Sequence, residues 1–87
     1  MVQAQRPALA AQTALITGAS SGIGRAVAVA LGRAGANVLV NDITDGLAAE
    51  TVVEEIRGFG ANALAYKADV SDEVQIAAML QLARQEF

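Results

Sequence analysis

The spacing of apolar positions along the chain switches repeatedly between two regimes. Thr13 to Thr17 (TALIT) is a short apolar run ending in a glycine cluster. Because apolar and polar residues do not strictly alternate in it, it predicts a fully buried strand. A helical period follows, in which Ile23, Ala26, Val27, Ala30, Leu31 and Ala34 form one stripe, and Gly35 is placed to stop the helix in a left-handed cap. Asn37 to Asn41 (NVLVN) predicts a second strand. From about Asp45 the helical period returns, with Ala48, Val52 and Ile56 recurring every four residues, Leu47 beside them, and Glu50, Glu54 and Arg57 on the other side. Gly58-Phe59-Gly60 breaks it. Ala63 to Ala68 is a third, less apolar run, as suits an edge strand. Ser71 then reads as an N-cap, with Asp72 and Glu73 in the first turn, where the helix dipole favours carboxylates. The last helix carries two apolar stripes, Val74, Ala77, Ala78 and Leu82 on one and Ile76, Met79, Leu80 and Ala83 on the other.

The predicted order is β-α-β-α-β-α. Strands alternating with helices imply right-handed crossovers and a parallel sheet, hence an α/β doubly wound architecture. No repeat, low-complexity tract or linker interrupts it, so residues 13–87 read as one unit behind a tail at 1–12. Composition agrees: 54% of the 87 residues are apolar but only 3% aromatic, which leaves Ala, Val, Leu and Ile to fill the core. A net charge of −3 argues against nucleic acid or an anionic membrane as the main partner. The chain has no Cys and no His, which removes disulfides, a cysteine nucleophile and zinc sites of the usual kind, and no carboxylates are spaced as a metal site. The first residues, with Arg6 and Pro7 among Ala and Gln, lack the apolar stretch of a secretory signal. The longest apolar run, Ala26 to Leu31, has six residues against the ~20 that span a bilayer. A soluble, cytoplasmic protein is expected.

Thr17-Gly-Ala-Ser-Ser-Gly-Ile-Gly24 lies between the first strand and the first helix, where a phosphate-binding turn belongs. Gly18 would turn the chain off the strand, Gly22 would leave a pyrophosphate unobstructed, and Gly24 would let the helix approach the sheet. The helix start adds unpaired N–H groups and partial positive charge, so an anion site arises without Lys or Arg. The competing reading is a tight turn with no ligand, but glycines at a helix start cost up to ~1 kcal/mol each relative to Ala and call for a reason. Ser20 and Ser21 suit either phosphate or ribose contact or helix capping. The Ile23 N–H would join the cradle while its side chain packs inward. Asp42 ends the second strand, 18 residues after Gly24. A carboxylate there can accept hydrogen bonds from both hydroxyls of an adenosine ribose and repel a 2′-phosphate, or it can simply begin the turn before Thr44-Asp45-Gly46.

Together these motifs resemble the cofactor site of the short-chain dehydrogenase/reductase family. TGASSGIG followed by Arg25-Ala26 matches its glycine motif, while NVLVND ending at Asp42 and Ala68-Asp69-Val70 match its second and third strand ends. The resemblance runs from about Gln12 to Phe87 and is nearest to the bacterial glucose 1-dehydrogenase and 3-oxoacyl-carrier-protein reductase type. It implies a Rossmann-like fold with strand order beginning 3-2-1-4 and hydride transfer between a nicotinamide cofactor and an alcohol or carbonyl substrate, commonly in a homo-oligomer. It also implies that Asp69 accepts a hydrogen bond from the adenine amino group and that Val70 packs on the ring. The other role for Asp69 is to open the following helix. No Lys or Arg occurs between Asp42 and Arg57, and Ser21 stands where NADP-preferring relatives often carry a basic residue, so NAD is expected over NADP. Arg25 complicates this, as a cation near the turn could serve either. A methyltransferase fits this glycine spacing poorly.

The family's chemistry uses a Ser with a Tyr-x-x-x-Lys pair. The chain's one Tyr and one Lys are adjacent, Tyr66-Lys67, and read as strand positions on opposite faces. No catalytic residue is therefore expected among the 87. The chain reads as the N-terminal, adenosine-binding part of a reductase, or as a non-catalytic nucleotide-binding or oligomerising module. In isolation it is expected to be marginally stable and self-associating, without turnover.

Overall fold

The computed structural model describes residues 8–43 and 46–87. Its elements follow the predicted order: β1 (Thr13–Ile16), α1 (Gly22–Arg33), β2 (Asn37–Asp42), α2 (Gly46–Arg57), β3 (Ala63–Lys67) and α3 (Glu73–Glu86). The start expected for the second helix, Asp45, lies outside the described residues. The three strands form one parallel sheet in the order β1-β2-β3. Its register pairs Thr13 with Asn37 and Ile16 with Val40, then Val38 with Ala63 and Asp42 with Lys67. β2 is central and fully shielded from Val38 to Asn41, whereas β1 and β3 are edges among the described residues.

Strand alternation divides the core into two layers. On one face Val38, Val40 and Ala63, with Ala14, Ile16 and Ala65, pack against Ala28 of α1 and Ala49, Val52, Val53 and Ile56 of α2. On the other, Leu39, with Leu15 and Tyr66, packs against Met79 and Ala83 of α3. The second layer is thinner because one helix covers it. No helix among the described residues is long and apolar enough to cross a membrane.

α1 buries a different stripe from the one its periodicity predicts, while α2 and α3 each bury part of a predicted one. In α1 the inward column is Gly24, Ala28 and Gly32, flanked by Leu31 and Val29, while Ile23 is 85% exposed and Val27 41%. Nearly every residue of α1 is apolar, so the period is clear but its phase is not. The small residues take the inward position because α2 sits close: a Cβ at Gly32 would lie 2.7 Å from Ile56 Cγ2. In α2, Ala49 and Val53 join Val52 and Ile56 in the core, whereas Ala48 and Leu47 face outward. In α3 the stripe of Met79 and Ala83 is buried, and Val74, Ala77 and Ala78 are exposed.

The caps are partly as expected. α1 ends in a Schellman motif: Gly35 has φ +96°, its N–H reaches Gly32 O at 3.0 Å, and Ala36 N reaches Leu31 O at 3.1 Å. The N-cap of α3 is Asp72 rather than Ser71, its carboxylate accepting from Val74 N (2.9 Å) and Gln75 N (3.3 Å). Ser71 is turned back towards Asp69. Ahead of β1, residues 8–12 form a turn held by Leu9 N to Ala34 O at 2.8 Å and Asn37 N to Gln12 O at 2.8 Å.

Candidate functional site

Thr17, Gly18, Ser20, Ser21, Gly22, Ile23 and Gly24 form the turn that leaves the carboxyl end of β1 and enters α1, the end of an open parallel sheet where ligands bind. Two residues in it have left-handed backbones, Gly18 at φ +61° and Gly22 at φ +58°, conformations a side chain would strain. Ser21 occupies the N-cap position in extended conformation, yet its hydroxyl makes no capping bond. The first hydrogen bond of the helix is Arg25 N to Ser21 O at 3.2 Å. The N–H groups of Gly22, Ile23 and Gly24 thus have no carbonyl one turn back, and the positive end of the helix dipole lies among them.

The space around these groups differs from glycine to glycine. A Cβ on Gly22 would meet nothing within 4 Å, so the cradle is open there. A Cβ on Gly24 would lie 2.3 Å from Gly18 O and 2.9 Å from Gly18 C. Gly24 thus lets the start of α1 lie close against the backbone of its entry turn, just past the end of β1. Ile23 departs from expectation, its side chain pointing outward. Buried Ala19 fastens the turn to the sheet, its N–H donating to Asn41 O at 3.0 Å.

Ser20 and Asp42 are brought into direct contact. The Ser20 hydroxyl donates to Asp42 Oδ2, so within the chain it bonds that carboxylate rather than capping α1. It holds the carboxylate at the end of β2 against the glycine turn, on the α1/α2 side of the sheet. Periodicity did not flag the residue next door. Asn41 is 2% exposed, and its amide donates to Tyr66 O (3.0 Å) and Ala68 O (3.2 Å). Ala68 N in turn donates to Asp42 O at 3.2 Å. This clamp joins the ends of β2 and β3 and carries Asp69 and Val70 to the same edge as the turn. The available signal was a polar residue in register with buried Leu39.

Asp69 makes local bonds. Its Oδ1 accepts from Ser71 N (2.9 Å) and Ser71 Oγ (2.6 Å), and its own N–H donates to Gln75 Oε1 (2.8 Å). These Ser71 donors favour the ionised form and hold the carboxyl below its ordinary value of 3.8. Within the chain Asp69 therefore helps to open α3. Val70 is 46% exposed at the sheet edge, an apolar surface beside the site. Arg25 pairs with Glu55 of α2 at 2.7 Å. Among the described residues, no three of His, Cys, Asp or Glu cluster where they could hold a metal ion.

The open cradle at Gly22, the exposed N–H groups of the first turn and the carboxylate at the end of β2 fit the diphosphate and ribose of a dinucleotide. Comparison with known proteins agrees at the level of family. The sequence profile of the short chain dehydrogenase family matches residues 12–87. A short chain dehydrogenase of Passalora fulva is 49% identical over 65 residues, covering 75% of this chain and 24% of that protein. The crystal structure of a hydroxysteroid dehydrogenase from Escherichia coli superposes with a TM-score of 0.85 at 37% identity, over 93% of this chain and 34% of that one. A 3-ketoacyl-ACP reductase from Sinorhizobium meliloti superposes with a TM-score of 0.80 at 45% identity, over 86% and 29%. The chain thus spans about a quarter to a third of the length of these relatives. With the glycine turn, the strand order and the match all in register, the chain belongs to the short-chain dehydrogenase/reductase family, of which it forms the N-terminal, Rossmann-like part.

Proposed function

We propose that residues 13–87 supply the adenosine- and diphosphate-binding half of a nicotinamide-dependent oxidoreductase, and that this half prefers NAD to NADP. The observation that carries the reading is the arrangement at the turn, where uncapped N–H groups surround an unobstructed Gly22 and Ser20 holds Asp42 beside them. Gly18, Gly22, Ile23 and Gly24 would receive the diphosphate through backbone amides, with Thr17 and Ser21 at the rim. Asp42 would accept from the ribose hydroxyls and repel a 2′-phosphate. Asp69, through an oxygen not used by Ser71, and Val70 would face the adenine. A nicotinamide cofactor held there would supply hydride-transfer chemistry at an alcohol or carbonyl carbon of a small-molecule substrate.

This chain's residues bind and orient; they do not handle the substrate's proton. Tyr66 packs on the α3 side of the sheet, and its neighbour Lys67 is exposed at the strand end. The exposed apolar side chains Ile23, Val27, Leu47 and Val74 support association into a homo-oligomer.

Replacing Asp42 with Ala tests the cofactor reading. Loss of one carboxylate close to a 2′-phosphate should narrow the ratio of NADP to NAD dissociation constants by about tenfold, or ~1.4 kcal/mol. An unchanged ratio would reject Asp42 as the discriminating group.

A further inference from the structure

The sheet register sets a second charged residue beside Asp42. Asp42 and Lys67 are Cα partners across β2 and β3, and partners in a parallel pair project to the same face. That face is the α2 side, shared with Val40 and Ala65. Both residues line one small pocket of about 90 Å³, together with Gly46, Ala49 and Glu50. Along the sequence no cation follows Asp42 before Arg57. Strand pairing supplies one from 25 positions further on.

The two charges are held differently. Asp42 is half-buried and receives the Ser20 hydroxyl. Lys67 is exposed, and among the described residues the one ion pair within 4.0 Å is Arg25–Glu55. An ammonium on a flexible four-carbon stem, with no carboxylate within 4.0 Å among the described residues, can move to an incoming anion. The anion that would approach Asp42 in this site is a phosphate on the ribose 2′-oxygen, carrying about −1.5 to −2 charges at neutral pH.

We infer that Lys67 is a specificity-determining residue at the ribose end of the site, where its ammonium partly offsets the repulsion between Asp42 and a 2′-phosphate. The inference rests on the proposed placement of the adenosine ribose at Asp42. The preference for NAD is then graded by a carboxylate on one strand and a cation on the next. Glu50, on the same pocket, opposes Lys67, so Glu50→Gln should strengthen the lysine's effect.

The test is NMR titration of the chain with ADP-ribose and with 2′-phospho-ADP-ribose. Lys67→Met should weaken the 2′-phosphorylated ligand about three- to tenfold, as expected for charges several ångströms apart in a water-like dielectric. ADP-ribose affinity should stay the same. Lys67→Arg should restore the wild-type ratio and Lys67→Glu should lower it further, with all differences shrinking as salt is raised. An unchanged ratio in Lys67→Met and Lys67→Glu, with ADP-ribose still shifting Gly22 and Asp42, would overturn the inference and leave the proposed site standing. Equal weakening of both ligands would also overturn it, since Lys67 would then support binding without reading the 2′ position. If ADP-ribose shifted neither Gly22 nor Asp42 in the wild type, the proposed site itself would fail, and the inference with it.

Discussion

Gly24→Ala is the sharpest perturbation of the glycine turn, because the added methyl collides with main chain. The new Cβ would lie 2.3 Å from Gly18 O, where real Cβ atoms essentially never come closer than 3.0 Å. At least ~0.7 Å of movement is needed in the turn or the first helical residues. Forcing a methyl into a filled site costs ~1–3 kcal/mol, against a gain of up to ~1 kcal/mol from replacing a helical glycine with alanine. The expected net loss is about 1–2 kcal/mol, and a domain of this size melts ~4–8 °C lower for each kcal/mol lost. Gly32→Ala is the companion perturbation. There the collision is with the γ-methyl of buried, β-branched Ile56 at 2.7 Å, less severe than the 2.3 Å main-chain contact, so its net loss should be the smaller of the two. Urea unfolding followed by far-UV circular dichroism compares the two. A Gly24→Ala midpoint equal to or above wild type would refute the close-approach reasoning.

Two further predictions concern the β3–α3 connection. Asp72→Ala removes the side-chain acceptor for Val74 N and Gln75 N and should cost about 1 kcal/mol, a typical N-cap loss; amide exchange in the first turn of α3 would report it. Asp69 should titrate below 3.8 by NMR because of its two Ser71 donors, and Ser71→Ala should move the midpoint upward even though the backbone N–H remains. A carboxyl whose pKa is lowered by folding favours the folded state above its unfolded value, and that contribution disappears as pH falls through the lowered value. Asp69 thus adds nothing to stability in strong acid, and its influence is complete above about pH 5.

The element order and the parallel sheet were legible because period changes and glycine breaks survive in any single sequence. Helix phase was not. In α1, Ile23, Ala26, Val27 and Ala30 satisfy the helical period as well as Gly24, Ala28 and Gly32 do, and the closeness of the entry-turn backbone at Gly24 and of α2 at Gly32 decides for the small column. Leu47 and Ala48 lost to Ala49 and Val53 in α2 for a similar reason, the pattern being apolar over more than one face. The site was readable at its glycines, whose left-handed backbones at 18 and 22 need that residue type. What joins its parts was not readable. The Ser20–Asp42 bond spans 22 positions and the Asn41 clamp 25 to 27, pairings that depend on strand register. The Asp42–Lys67 juxtaposition was hidden for the same reason.

The central claim is that backbone amides at the start of α1 receive a diphosphate while Asp42 receives the attached ribose. Titrating the isotope-labelled chain with ADP-ribose, and with ribose 5-phosphate as a fragment lacking the diphosphate, tests it most directly. The account predicts saturable, downfield amide shifts at Gly22, Ile23 and Gly24 with ADP-ribose, an accompanying shift at Asp42, and markedly weaker binding of the fragment. Saturable binding of ADP-ribose that perturbs other surfaces while leaving these four residues unmoved would contradict it.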